Sequence, residues 1–83
     1  MPFRISDHAK DELKRREISE EMLQGLLASP QQIVPNQEGR KAYQSQVEID
    51  GKTYLLRVIV EDNTDVVITV YRTSKIQKYW SKT

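Results

Sequence analysis

The chain has no cysteine, which excludes disulfides and thiolate metal sites and makes an intracellular setting the expectation. It has one histidine, and its acids are scattered, so no spacing in it reads as a metal-ligand set and no cofactor is expected. Its three glycines form no Gly-rich phosphate loop. No serine stands in a nucleophile context. There is no run of about 18 apolar residues and no apolar stretch behind Met1, so neither a membrane span nor a signal peptide is expected. Charge of one sign is also scarce: the formal net charge is +1 with 30% charged residues, whereas dedicated nucleic-acid binders are usually strongly basic. The expectation is a single cytoplasmic domain of 83 residues with a modest core.

What is there is organised around residues 65–80, DVVITVYRTSKIQKYW. Its first half is apolar and β-branched on both faces, the pattern of a central strand. Alternation puts Tyr71 on one face with Val67 and Thr69, and Arg72 on the other. Its second half holds no acid. Arg72, Lys75, Lys78 and Lys82 give the last thirteen residues a formal charge of +4, which leaves the first seventy negative. Ile76, Tyr79 and Trp80, at i, i+3 and i+4, predict a final helical turn that packs down.

Upstream, Ser6 or Asp7 can cap a helix beginning at about His8, with acids early and Lys14, Arg15 and Arg16 late, as the macrodipole favours. Ala9 and Leu13 face the core, with Ile5 beneath them. Ser19 followed by Glu20 and Glu21 starts a second helix, whose apolar face is Met22, Leu23, Leu26 and Leu27. Ser29-Pro30 ends it. A short strand at 32–34 is marked as an edge by Pro35. Lys41 to Asp50 alternates, with Tyr43, Ser45, Val47 and Ile49 against Gln44, Gln46 and Glu48. Asp50-Gly51 fits a type I′ hairpin turn. Thr53 to Val60 follows, with Tyr54, Leu56, Val58 and Val60 against Leu55, Arg57 and Ile59. The order predicts an α+β fold: two N-terminal helices on one face of a three- to four-stranded antiparallel sheet, with a short C-terminal helical turn.

Two groups of residues point to chemistry. At helical spacing His8, Glu12, Arg15 and Arg16 share one side of the first helix. Glu12 can hold the imidazole in one tautomer while Arg16 offers a cation to phosphate. The bland alternative is a His that caps or packs and a Glu that pairs with a neighbouring cation. The second group is Tyr71 to Lys75 with Lys78. Cations there can bind phosphate oxygens, and a tyrosine can stack on a base or donate a proton. A ribonuclease that uses no metal needs little more than a base, phosphate-binding cations and an acid. The bland alternative here is a solvated basic end.

The stretch SDHAKDELKRREISEEML, with a closing Thr-Val-Tyr strand and Lys-rich end, resembles a small prokaryotic family of uncharacterised domains. His8, Ala9, Arg16, Ile18, Ser19, Thr69, Val70 and Tyr71 match its pattern. Glu12 and Glu17 stand where that family usually has Arg and Gly. The family is similar to the RelE/ParE and BrnT group of toxins. The resemblance implies a RelE-like fold, cleavage of RNA without a metal, and an antitoxin protein as partner. Carried over by position, His8, Arg16 and Tyr71 are the catalytic candidates. Arg72, Lys75, Lys78 and Arg15 are added from charge as the RNA-binding set. The competing expectation is a non-catalytic binding module of the same fold. The two part on whether His8, Arg16 and Tyr71 converge on one cleft.

Overall fold

The computed structural model describes residues 3–82. In chain order the elements are β1 (Arg4–Ile5), α1 (Asp7–Arg15), α2 (Glu20–Ala28), β2 (Gln32–Pro35), β3 (Arg40–Ile49), β4 (Lys52–Glu61), β5 (Val66–Thr73) and α3 (Ile76–Tyr79). They build one five-stranded sheet in the order β1-β5-β4-β3-β2. The fold is α+β, but the sheet is mixed where an all-antiparallel one of three or four strands was expected. The added strand is β1, which pairs in parallel with β5 through Arg4↔Val66 and Ile5↔Val67. Ile5 therefore lies in the sheet rather than only beneath a helix. Two residues paired with a strand some sixty positions away leave no periodic trace in a sequence.

Local chemistry sets most boundaries. Ser6 is the N-cap of α1, and its Oγ accepts from the Ala9 N–H at 3.1 Å. The same Oγ donates to the Ile68 carbonyl at 3.2 Å, which ties the helix start to β5. Ser19 caps α2 in the same way, accepting from the Met22 N–H at 3.1 Å. Between the helices the chain turns through Glu17, at φ 55°. The Glu17 N–H donates to the Lys14 carbonyl at 3.3 Å and the Ile18 N–H to the Leu13 carbonyl at 2.9 Å, the bonding of a Schellman cap. Asp50 and Gly51, at φ 52° and 80°, make the two-residue I′ turn between β3 and β4.

Both long helices cover one face of the sheet. Ala9, Leu13, Ile18, Leu23, Leu26 and Leu27 pack on Leu56, Val58 and Val60 of β4 and on Val67 and Val70 of β5. The face of β4 turned away from them carries Leu55, Arg57 and Ile59, all buried. A β-bulge in β5 shifts the pairing from Ile59↔Thr69 to Val60↔Val67. The extra residue, Ile68, reverses the alternation, so Val67 belongs to the helix side while Thr69 and Tyr71 do not. This corrects the expectation that Val67 and Tyr71 share a face. Gln44, on the face of β3 turned away from the helices, is buried, because the chain returns over that side after α3.

Candidate functional site

Tyr71 stands opposite Arg57 in the β4–β5 ladder, on the face away from the helices. Arg57 is only 7% exposed, and its guanidinium pairs with no carboxylate among the described residues. Its Nη1 donates to the Tyr71 hydroxyl, and its Nε donates to Gln44 Oε1 at 2.9 Å. The Tyr79 ring lies under the guanidinium, 4.3 Å from carbon to centroid, and the Tyr71 ring lies at 5.7 Å. The two tyrosines meet edge to face at 6.3 Å. Aromatic faces and neutral dipoles stabilise a desolvated cation only in part, since each cation–π contact contributes about 0.5–2 kcal/mol and burying a charge costs several. A buried guanidinium without a counter-ion is therefore the least self-sufficient group in this fold.

The cover over this cation is the chain's own end. The Gln44 Nε2 donates to the Tyr79 carbonyl at 3.1 Å and to Gln32 Oε1 at 2.8 Å. Gln32 in turn donates from Nε2 to the Ser81 carbonyl at 2.6 Å, and its Oε1 accepts from the Ser81 N–H at 3.1 Å. Residues 79–81 thus run from over β5 and β4 to β2 as a strap across the open face. Lys75 caps α3 and its backbone N–H donates to Thr73 Oγ1 at 3.1 Å. Lys78 is exposed, with its Nζ 5.3 Å from the Tyr79 ring centroid.

The remaining candidates lie on the helix side. His8 is exposed near the start of α1, and its imidazole makes no hydrogen bond or ion pair with a described residue. Glu12 is 3% exposed and faces inward with Ala9 and Leu13. Its Oε2 lies 3.5 Å from Arg15 Nη1 and 3.3 Å from Arg16 Nε. Arg15, Arg16, Glu17 and Arg72 line one depression of about 250 Å³. The structure thus gathers Arg15, Arg16 and Arg72. It puts Tyr71 on the opposite face of the sheet from Arg16 and His8. A larger hollow of about 430 Å³ at the β2–β3 turn holds none of the candidates.

Arg57 is the residue that reasoning from sequence did not single out. Its signal is present: one arginine inside the apolar run Leu55 to Val60. A charge in the middle of a strand that is buried on both faces asks what it faces, and here the answer is Tyr71 and Tyr79.

The chain matches the family described as a domain of unknown function (DUF4258) over residues 5–72, and it belongs to that family. The match spans α1 through most of β5 and so includes Arg57 and Tyr71. Searches of curated proteins and of solved structures return no match.

Proposed function

We propose that this member of DUF4258 is an endoribonuclease that cleaves single-stranded RNA without a metal ion, at the open face of its sheet. The observation that carries the reading is the buried Arg57 guanidinium, without a carboxylate and in contact with the Tyr71 hydroxyl. A cation of that kind is stabilised by an anion, and a phosphodiester supplies one. In the proposed reaction the 2′-oxygen of the substrate bonds to phosphorus and the P–O5′ bond breaks. The products are a 2′,3′-cyclic phosphate and a 5′-hydroxyl. Arg57 neutralises the charge that builds on the phosphorane oxygens. Tyr71 gives its proton to the departing O5′, and the proton of the 2′-hydroxyl leaves to solvent. Tyr79 offers a ring on which a base stacks once the strap yields. His8 and Arg16 take no part at the scissile bond in this scheme. An antitoxin-like protein is the partner such an enzyme calls for.

One observation favours the second reading, a non-catalytic binding module. Every group around Arg57 is satisfied by the chain itself, and no buried side-chain N or O atom among the described residues lacks a partner. The test is cleavage of single-stranded RNA with and without EDTA by the intact protein and by Tyr71→Phe, Arg57→Met and His8→Ala. The expected result is EDTA-resistant cleavage that His8→Ala retains and the other two lose. Cleavage that survives Tyr71→Phe and Arg57→Met sinks the proposed site. Binding of RNA with no cleavage by the intact protein moves the conclusion to the binding module.

A further inference from the structure

β1 pairs only with Val66 and Val67, so among the described residues no strand lies against the outer edge of β5 from Thr69 to Thr73. Tyr71 and Arg72 are consecutive on that rim and point to opposite faces. Tyr71 belongs to the Arg57 site, and Arg72 to the depression it shares with Arg15 and Arg16. Three guanidiniums from two elements line this hollow. Glu12 lies buried at the root of α1's pair and engages one nitrogen of Arg15 and one of Arg16. A guanidinium has five N–H donors, so donors remain on each. Arg72 is held at 4.9 Å over the Tyr54 ring and pairs with no carboxylate among the described residues.

We infer that Arg15, Arg16 and Arg72 form a second phosphate site, which holds the RNA strand after it crosses the β5 rim from the cleavage site. The identity of the ligand as RNA rests on the function proposed above. Consecutive strand residues send their side chains to opposite faces of the sheet, and a stacked nucleic-acid strand advances about 3.4 Å per nucleotide. A strand that rounds the β5 rim therefore places at least about two nucleotides between the two phosphates. A dinucleotide reaches only the Arg57 site, whereas an octamer reaches both. Glu17, also on the lining, opposes the anion and limits its affinity.

The test measures binding of a fluorescein-labelled octamer carrying 2′-O-methyl groups throughout, which has no 2′-hydroxyl to attack. It is compared with cleavage of an all-ribose dinucleotide and octamer. The proteins are the intact chain, Arg72→Gln, Arg15→Gln and, as a charge control beside the β2–β3 turn at the other end of the sheet, Lys41→Gln, each checked by circular dichroism. Arg72→Gln and Arg15→Gln are expected to weaken octamer binding about 5- to 30-fold and to reduce its salt dependence by roughly one phosphate contact each. Cleavage of the octamer should fall relative to that of the dinucleotide, and Lys41→Gln should alter neither octamer binding nor that ratio. Equal losses from Lys41→Gln, or none from Arg72→Gln, overturn the inference even if RNA is cut normally. Arginine-dependent octamer binding without cleavage of the ribose octamer upholds the second site and removes the nuclease. No octamer binding by the intact chain overturns this site.

Discussion

The two faces of the sheet bury their residues by different means, and β4 shows both within one dipeptide. Leu56, on the helix side, is fully buried among Val58, Val70 and the leucines of α2. That side is nearly all hydrocarbon, and its stability comes from area removed from water. Arg57, on the open side, is almost as inaccessible, yet it is surrounded by a hydroxyl, one amide and two rings. Leu55, Ile59 and Ala42 share that side and would suit a plain apolar contact. A domain of this size has few kcal/mol to spare, so a buried cation here calls for a reason other than stability. On the proposed function the two faces divide the work: one holds the fold together, and the other keeps a charge for a ligand.

The sharpest way to break this comparison is to truncate each neighbour in turn. Leu56→Ala leaves a cavity in the helix-side core and should cost about 2–5 kcal/mol, enough to unfold much of the population near 37 °C. Arg57→Met, one residue along, should leave the denaturant midpoint close to that of the intact chain, because relief of a buried charge offsets the lost bonds. RNA cleavage should vanish in the second variant alone. A large destabilisation by Arg57→Met would show that the open face is structural too, and the division between the faces would collapse.

The strap sharpens the comparison from the other side. The helix-side cover is fastened by packed carbon, while residues 79–81 are fastened by polar bonds to Gln32 and Gln44. Gln32→Ala removes both of the bonds that Gln32 makes with Ser81, at about 1 kcal/mol each. Amide exchange over residues 76–82 should then quicken about 5- to 30-fold, with α1 and α2 unchanged. Cleavage should rise rather than fall, because substrate reaches Arg57 beneath the strap. Faster exchange accompanied by slower cleavage would mean that the closed strap is part of the working site.

Much of the frame was legible from local chemistry. Ser6 and Ser19 cap where they were expected to, Pro35 ends the edge strand, and Asp50-Gly51 makes the predicted turn. These features depend on a few adjacent residues and on water. What stayed hidden depends on distant partners. The Ile68 bulge is invisible in a segment apolar on both faces, since a slip of one residue alters no hydrophobic count. The burial of Gln44 requires Tyr79, 35 positions on, to return over it. Of the candidate residues, spacing within α1 brought Arg15 and Arg16 together correctly. It had no means of showing that Tyr71 points away from them.

The smallest effect is expected at Glu17, where the helix-side cap and the proposed second phosphate site meet. Its φ of 55° lies in the left-handed region, which a side chain tolerates poorly and glycine adopts freely. The Schellman bonds from Glu17 and Ile18 hold it there regardless, because Ile18 must follow Leu13 into the core. Glu17→Gly keeps those bonds and relieves the strain, a gain of about 0.5–1 kcal/mol that the greater freedom of glycine in the unfolded chain partly offsets. The net shift in denaturant midpoint should be small and stabilising. The same change removes an acid from the lining of the Arg15, Arg16 and Arg72 depression. Octamer binding should tighten about 2- to 3-fold at low salt and by less at high salt, as expected for an exposed charge. Stabilisation without tighter binding would separate the two roles of the turn, leaving Glu17 a strained cap and the depression without a ligand.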